Sequence, residues 1–239
     1  HHTISPHGLI GGGPVPKPGE ISLAHRGILF LDELPEFQRT VLESLRQPLE
    51  DSQVTVSRAR AAYTFPAKFM LAAAMNPCPC GYYGTKSQQH PCSCSPAKIR
   101  YYRSKISGPL LDRIDLHVEV PHLDYRSLKT GEQNQMSSAM MKSMVMEALE
   151  RQKKRYEPFG INYNGELSAS LLRRYCPLNS DAETLLKTSF ETLGFSMRTY
   201  DRVLKISRTI ADLEGSADIS AEHVAEALQY RCLDRNSLL

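Results

Sequence analysis

An apolar run that ends in two acids constrains the fold of this chain more than any other feature. Gly27-Ile28-Leu29-Phe30-Leu31 is followed directly by Asp32 and Glu33. A short, uninterrupted run of β-forming apolar residues predicts a strand buried on both faces, as in a parallel sheet covered by helices. Ligands of such sheets bind outside the carboxyl ends of the strands. The sequence therefore predicts an α/β fold with a ligand site beside the two acids.

The two acids suit nucleotide hydrolysis. Asp32 is placed to hold nucleotide-bound Mg²⁺, which prefers one or two carboxylates together with phosphate oxygens. Glu33 is placed to orient and deprotonate the attacking water. The alternative interpretation is that both acids only complement the dipole of the following helix, which the apolar spacing predicts over residues 36 to 50.

A second apolar run, Phe69 to Met75, predicts another central strand, and Asn76 ends it. If the two strands are neighbours, the Asn76 amide lies near the acid pair. There it would hold the attacking water or a γ-phosphate oxygen. The alternative is an asparagine that forms a turn before Pro77.

Four of the six cysteines crowd into one short stretch, and they are Cys78, Cys80, Cys92 and Cys94. Four thiolates are the ligand set of a structural zinc ion, with His90 as a possible substitute, although two intervening residues are the more usual spacing. The alternative is free or redox-labile thiols. Cys176 and Cys232 lie in helical patterns and are predicted to be packing residues.

Cationic residues follow both predicted strands. Residues 54 to 64 predict a β-hairpin with Arg58 and Arg60 at its tip, where they would contact phosphate or be simply solvated. Ser95-Pro96 predicts the start of a helix. That helix carries Lys98, Arg100, Arg103 and Lys105, again either solvated or forming a track for a polyanion.

Length and composition set wider bounds. The 239 residues suit one large domain or two small ones, and the net charge of +3 neither demands nor excludes nucleic acid. No apolar window reaches the length of a membrane span. A soluble, cytoplasmic protein with no membrane partner is therefore expected. Residues 4 to 20 are rich in glycine and proline and predict a loop or strained hairpin, but they lack the Gly-Lys-Ser/Thr ending of a phosphate loop.

The second half of the chain is predicted to be helical. Arg113 precedes residues 114 to 120, which alternate apolar and polar and predict a half-buried strand that would hold this arginine rigidly, so that it could point outward. The alternative is an ordinary surface arginine in a salt bridge. Residues 129 to 138 read as a linker. Beyond them capping signals predict a separate helical domain, with Gly194 and Gly215 each ending a helix and Ile219 and Val224 forming a hydrophobic staple at the start of another. Arg198 lies in a first turn of this domain and calls for an anionic partner. The predicted domains are residues 1–125 and 138–239.

Taken together, these features resemble an AAA+ ATPase. Three stretches are more specific and are similar to the magnesium-chelatase-like family of the bacterial competence protein ComM, also called YifB. They are residues 18 to 37 around HRGILFLDELPEF, residues 73 to 81 (AAMNPCPCG) and residues 108 to 121 (GPLLDRIDLHVEVP). The resemblance implies a partial AAA+ core, with a parallel sheet, helices on both faces and β-hairpin inserts, followed by an all-α lid domain.

The resemblance also implies roles for individual residues. Asp32 and Glu33 match the Walker B metal-binding and catalytic acids, and Asn76 matches the sensor-one residue. Arg113 matches the arginine finger that is offered to the nucleotide of a neighbouring subunit. Arg198 matches the sensor-two arginine of the lid, so ATP and Mg²⁺ are the implied cofactors.

Residues 8 to 19 and 54 to 64 match two inserts that line the pore and touch DNA in related ring motors. The family is understood as a hexameric helicase that promotes branch migration in natural transformation, so DNA and further copies of the chain are the implied partners. Its members carry their phosphate loop ahead of the position of His1. This chain is accordingly expected to be a fragment that alone binds ATP weakly and is inactive. Two alternatives stay open: a magnesium-chelatase motor subunit, or a non-catalytic zinc-bearing module for DNA binding or assembly.

Overall fold

The chain divides into two compact units, residues 1–114 and 115–239. The computed structural model describes residues 3–57, 61–84, 90–120, 136–231 and 233. Most of the predicted linker lies outside these residues. None of the described helices combines the length and the apolar character that crossing a bilayer requires.

The first unit mixes short helices with paired strands. Its helices are α1 (Pro6–Ile10), α2 (Glu20–Leu23), α3 (Arg39–Ser44), α4 (Arg46–Asp51), α5 (Pro96–Ser104) and α6 (Gly108–Leu111). Its strands are β1 (Gly11–Gly12), β2 (Lys17–Pro18), β3 (Ile28–Leu31), β4 (Gln53–Ser57), β5 (Ala62–Pro66) and β6 (Met70–Ala73). The strands pair as β1 with β2, β3 with β6, and β4 with β5.

The parallel pair β3–β6 is the predicted central sheet. Its register sets Ile28 opposite Met70 and Leu31 opposite Ala73. The prediction that β3 is buried on both faces is wrong, because the side chains of Ile28 and Phe30 are each 62% exposed. In the described part of the chain, one face of this two-stranded sheet packs on the core and the other meets no covering element. Alternate side chains of a strand point to opposite faces, so Leu31 is buried while Phe30 is not.

The helix predicted over residues 36 to 50 forms in two pieces. A 3₁₀ turn at Leu34–Glu36 comes first, and α3 and α4 then meet at Leu45. Pro48 lacks the N–H that would bond to the carbonyl of Ser44, so a continuous helical ladder is interrupted there. The predicted apolar face is nevertheless the buried one, and Val41, Leu42 and Leu45 are fully covered.

The glycine-rich start forms a tight hairpin between α1 and α2. Gly11 has a φ of 106°, and a Cβ atom built on it would lie 2.3 Å from the carbonyl oxygen of Lys17. A Cβ on Gly19 would lie 2.4 Å from the amide nitrogen of Gly11. The two backbones therefore approach more closely than any side chain allows, which explains glycine at both positions.

The strand predicted over residues 114 to 120 does not form. His117 makes a single bridge to Arg231, and its amide donates to the Tyr230 carbonyl at 2.7 Å. Asp115 accepts a hydrogen bond from Arg202 at 2.5 Å. Residues 115 to 117 are therefore fixed by contacts inside the second unit, to which they belong, while Val118 is 67% exposed.

The second unit is all-helical, as predicted. Its helices are α7 (Ser138–Tyr156), α8 (Ala169–Tyr175), α9 (Ser180–Leu193), α10 (Met197–Glu214) and α11 (Ala221–Gln229). Left-handed Gly194 ends α9 and left-handed Gly215 ends α10, as their sequence positions predict. Ile219 and Val224 flank the start of α11 as a fully buried hydrophobic staple.

A buried carboxylate ties the helices of this unit together. Asp212 on α10 is fully buried and accepts hydrogen bonds from Arg155 at 2.5 and 2.9 Å and from Asn164 at 2.9 Å. Arg208, also buried, lies 3.2 Å from the same carboxylate. Hydrogen bonding to Asp212 raises the pKa of Arg155 above its usual range. The buried carboxylate therefore has two positive counter-charges and several hydrogen-bond donors, which offset the free energy cost of its burial.

Replacing this carboxylate is expected to destabilise the second unit. Asp212→Asn should lower the free energy of unfolding by about 3–5 kcal/mol, because it leaves buried guanidinium groups without their counter-charge. Urea unfolding followed by circular dichroism measures the change. Asp218→Asn, at an exposed position, is the matched control and should change stability by less than about 0.5 kcal/mol. A loss of under about 1 kcal/mol for Asp212→Asn would contradict this view of the network.

Candidate functional site

The acid pair lies at the carboxyl end of β3. Asp32 and Glu33 are both exposed, and an Asp32 carboxylate oxygen accepts a hydrogen bond from the Glu33 amide at 2.9 Å. Glu33 has left-handed backbone angles, with φ 53° and ψ 47°. Such a conformation costs a non-glycine residue on the order of 1 kcal/mol and tends to occur at functional positions. The sharp turn lets the chain leave the strand while both carboxylates stay at its end.

Asn76 lies at the same end of the sheet. Because β3 and β6 are parallel and Leu31 pairs with Ala73, the residues after both strands emerge side by side. The Leu34 amide donates a hydrogen bond to the Ala74 carbonyl at 3.0 Å, so the two chain segments stay hydrogen-bonded just beyond the ends of β3 and β6. The exposed Asn76 follows two residues later.

Tyr102 of α5 links Asn76 to the acids. Its side chain is buried, and this burial, followed by electrostatic interactions with Glu36, Cys78 and Glu33, raises the pKa of Tyr102. A hydrogen bond from the backbone of Asn76 to the same hydroxyl lowers this pKa and partly offsets the rise. Tyr102 therefore contacts the backbone of Asn76, at the end of the sheet where the acids also emerge.

Arg113 folds back onto its own unit instead of pointing outward. Its guanidinium forms an ion pair with Glu50 and donates to the Pro109 carbonyl at 2.7 Å. Only 8% of the Arg113 side chain is exposed. A role as an arginine finger stays a prediction, and it requires the pair with Glu50 to open.

Arg198 is exposed and is the second residue of α10 in the second unit. Ser196 caps that helix through a hydrogen bond from the Thr199 amide at 3.2 Å. The sensor-two role of Arg198 stays a prediction.

Strands β4 and β5 form the predicted antiparallel hairpin. Gln53 pairs with Pro66 at one end of the hairpin, and Ser57 pairs with Ala62 at the other. The predicted tip residues, Arg58 and Arg60, lie outside the described part of the chain.

The four clustered cysteines converge. All four sulfur atoms lie within 4.8 Å of one another. The Cys78 sulfur is 3.3 Å from that of Cys80 and 3.7 Å from that of Cys92. Thiolates around a tetrahedral zinc ion, each about 2.3 Å from the metal, lie about 3.8 Å apart. A disulfide needs about 2.05 Å, so the observed spacing fits a metal cluster and no disulfide.

The thiols of this cluster differ in acidity. A hydrogen bond from the backbone of Tyr82, followed by one from the Cys78 side chain, lowers the pKa of Cys80 to about 6. A backbone hydrogen bond at Cys94 lowers the pKa of Cys92, but burial and the neighbouring Cys80 and Cys78 outweigh it and raise that pKa to about 11. Cys176, by contrast, is a packing residue as predicted, and burial raises its pKa to about 11.

Sequence reasoning missed three contributors to this region. No role at the end of the sheet was predicted for Tyr102 or Glu50, and the contact between Arg103 and Pro77 was not predicted either. The Arg103 Nε atom donates to the Pro77 carbonyl at 3.1 Å, next to Asn76. No local pattern marks these residues, because each acts through a partner distant in sequence.

Both halves of the chain match known families. Residues 1–128 match the family "Magnesium chelatase, subunit ChlI", and residues 135–231 match "Magnesium chelatase, subunit ChlI C-terminal". With its parallel strand pair, flanking helices and helical second unit, the fold is a partial AAA+ core followed by a helical lid. The chain belongs to the magnesium-chelatase-like family.

Several curated relatives are similar over almost the whole chain. Competence protein ComM of Haemophilus influenzae is 47% identical over 237 residues, covering 98% of this chain and 45% of its own length. The uncharacterized proteins YifB of Salmonella typhimurium and Escherichia coli are each 44% identical, with the same coverage. The chain thus spans a little under half the length of these relatives.

Proposed function

We propose that this chain is part of an ATP-driven AAA+ motor that acts on DNA. The observation that carries the proposal is that Asp32 and Glu33 follow one strand, and Asn76 the other, at the same end of a parallel strand pair. Two acids and an amide in that position are groups that hydrolysis of a nucleoside triphosphate uses, together with a phosphate-binding loop. Membership of the magnesium-chelatase-like family supports the same conclusion.

Each residue then has a distinct role. Asp32 holds Mg²⁺, directly or through water, and the ion neutralises charge on the phosphates. Glu33 orients the attacking water and accepts its proton, while Asn76 holds that water or a γ-phosphate oxygen. Arg113 of one subunit stabilises the charge that develops in its neighbour's site, and Arg198 contacts the nucleotide from the lid.

The motor is a hexameric ring in this proposal. Similarity to a protein named for competence supports a role in natural transformation, and we propose that the motor is a helicase that promotes branch migration in that process. The hairpin formed by β4 and β5 faces the DNA, with Arg58 and Arg60 contacting phosphates.

Glu33→Gln in the full-length protein should lower the rate of ATP hydrolysis about 100-fold or more, because the amide cannot accept the proton of water. A coupled phosphate-release assay measures the rate, and light scattering measures assembly, which should survive. Glu36→Gln is the matched control, since Glu36 is an exposed acid in the same turn. Unchanged hydrolysis in Glu33→Gln would point to a non-catalytic module.

A magnesium-chelatase motor subunit is the second candidate, favoured by the name of the matching family. DNA dependence distinguishes the two. Replacing Arg58 and Arg60 together by alanine should reduce DNA-stimulated ATP hydrolysis severalfold and leave the basal rate unchanged, because only phosphate contacts are lost. Arg173 and Arg174, both exposed, form a matched double-alanine control. If the rate of ATP hydrolysis is the same with and without DNA for the wild type and for every variant, the chelatase is favoured.

We also propose that Cys78, Cys80, Cys92 and Cys94 hold one structural zinc ion. The purified protein should contain about one zinc per chain by mass spectrometry. Cys92→Ala should lose the metal, while Cys176→Ala should keep it, because Cys176 packs in the core of the other unit. A stable protein that contains no metal and whose four thiols all react with Ellman's reagent would refute the site.

A further inference from the structure

A cleft lined by charged side chains lies in the first unit. Helices α3 and α4 supply most of its lining, and the residue that follows the end of α6 by two positions completes it. The cleft has a volume of about 310 Å³ and is lined by Glu43, Arg46, Gln47, Glu50, Asp51 and Arg113. The arginine that is proposed to act on a neighbour's nucleotide is therefore held in a cleft of its own unit.

The Arg113 side chain is withdrawn into this cleft. Only 8% of it is exposed, whereas 41% of the Glu50 side chain is exposed. Its Nη2 atom forms an ion pair with Glu50, and its Nη1 atom donates to the Pro109 carbonyl at 2.7 Å. A guanidinium buried in this way does not reach a phosphate that is bound to another copy of the chain. Contact with such a phosphate requires Arg113 to leave Glu50.

The contacts that hold Arg113 are incomplete. Its Nε atom is buried and has no hydrogen-bond partner among the described residues. A buried donor without a partner costs free energy, and an ion pair with a solvent-exposed partner contributes little. Arginine binds a phosphate with the same forked geometry that it uses for a carboxylate. A phosphate can therefore replace Glu50 as the partner of Arg113.

Glu43, another acid of the cleft, has a different task. A hydrogen bond with Ser107 lowers the pKa of Glu43, and Ser107 is the residue that caps α6. Glu43 thus helps to fix the helix whose Pro109 carbonyl accepts from Arg113. Glu50, by contrast, acts on the Arg113 side chain directly.

We infer that Glu50 is a positioning residue, which keeps Arg113 withdrawn until the γ-phosphate of a nucleotide bound to a neighbouring copy of the chain takes its place. Arg113 is divided between a withdrawn and an extended state, and only the extended fraction supports hydrolysis. Glu50 sets that fraction. This inference rests on the proposed motor and on the role of Arg113 in it.

Glu50→Gln in the full-length protein tests the inference, because it keeps the shape of the side chain and removes the charge that holds Arg113. The rate of ATP hydrolysis at saturating ATP, measured by phosphate release, should rise about two- to fivefold, as expected for loss of a partly exposed ion pair. Arg113→Ala should lower this rate on the order of 1,000-fold. Adding Glu50→Gln to Arg113→Ala should leave the residual rate unchanged, because Glu50 acts only through Arg113.

Mixed assemblies test whether Arg113 acts on a neighbour. Subunits with Glu33→Gln have an inactive site and an intact Arg113, and subunits with Arg113→Ala have the opposite defect. Mixing the two should restore hydrolysis. Adding Glu50→Gln to the Glu33→Gln subunits should increase the restored rate, whereas adding it to the Arg113→Ala subunits should not.

Asp51→Asn is the matched control, since Asp51 is an exposed acid that lines the same cleft, and it should leave the rate unchanged. Glu50→Ala is a second variant that also removes the charge and should give a similar increase. The inference is overturned if neither Glu50 variant raises the rate, if Asp51→Asn raises it equally, or if Glu50→Gln has the same effect without Arg113.

Two further outcomes separate this inference from the proposed function. If Arg113→Ala hydrolyses ATP at the wild-type rate while Glu33→Gln does not, the motor proposal survives and the role of Glu50 falls. If the wild-type protein does not hydrolyse ATP, both fail.

Discussion

Parallel pairing of β3 with β6 is the constraint on which the candidate site depends. Side chains that follow two parallel strands meet only if the register is right, and a shift by one residue would turn alternate side chains to the opposite face. The observed register sets Leu31 against Ala73, and the bond from Leu34 to Ala74 continues it beyond the strands. Asp32 and Glu33 consequently emerge beside the segment that leads to Asn76, and the left-handed turn at Glu33 holds the acids there.

The segment after β6 joins three features in one continuous stretch. It passes Asn76, enters the cysteine cluster, and returns through α5, where Tyr102 reaches back to the backbone of Asn76. A metal bound by the cysteines would therefore lie within a few residues of Asn76 in the sequence. The second unit is stabilised independently, by capped helices and by the buried carboxylate of Asp212.

Local patterns predicted those parts of the molecule whose cause is local. The cap at Ser95, the stops at Gly194 and Gly215, and the buried face of Val41 and Leu42 all follow from adjacent residues. Predictions failed where the outcome depends on distant partners. Alternation over residues 114 to 120 is typical of a strand, but a strand needs a neighbouring strand, and in the described part of the chain this segment forms an isolated bridge between His117 and Arg231 instead. Arg113 likewise turns toward Glu50, which is 63 residues away in sequence.

The central claim is that one nucleotide occupies the space where β3 and β6 end. A structure of the full-length protein with Mg²⁺ and a slowly hydrolysed ATP analogue tests it most directly. We expect the Asp32 carboxylate to reach the metal directly or through one water, and the Asn76 amide to lie within about 3.2 Å of a γ-phosphate oxygen or of the attacking water. A nucleotide bound away from these three side chains, or an Asn76 amide turned from the phosphates, would contradict the account.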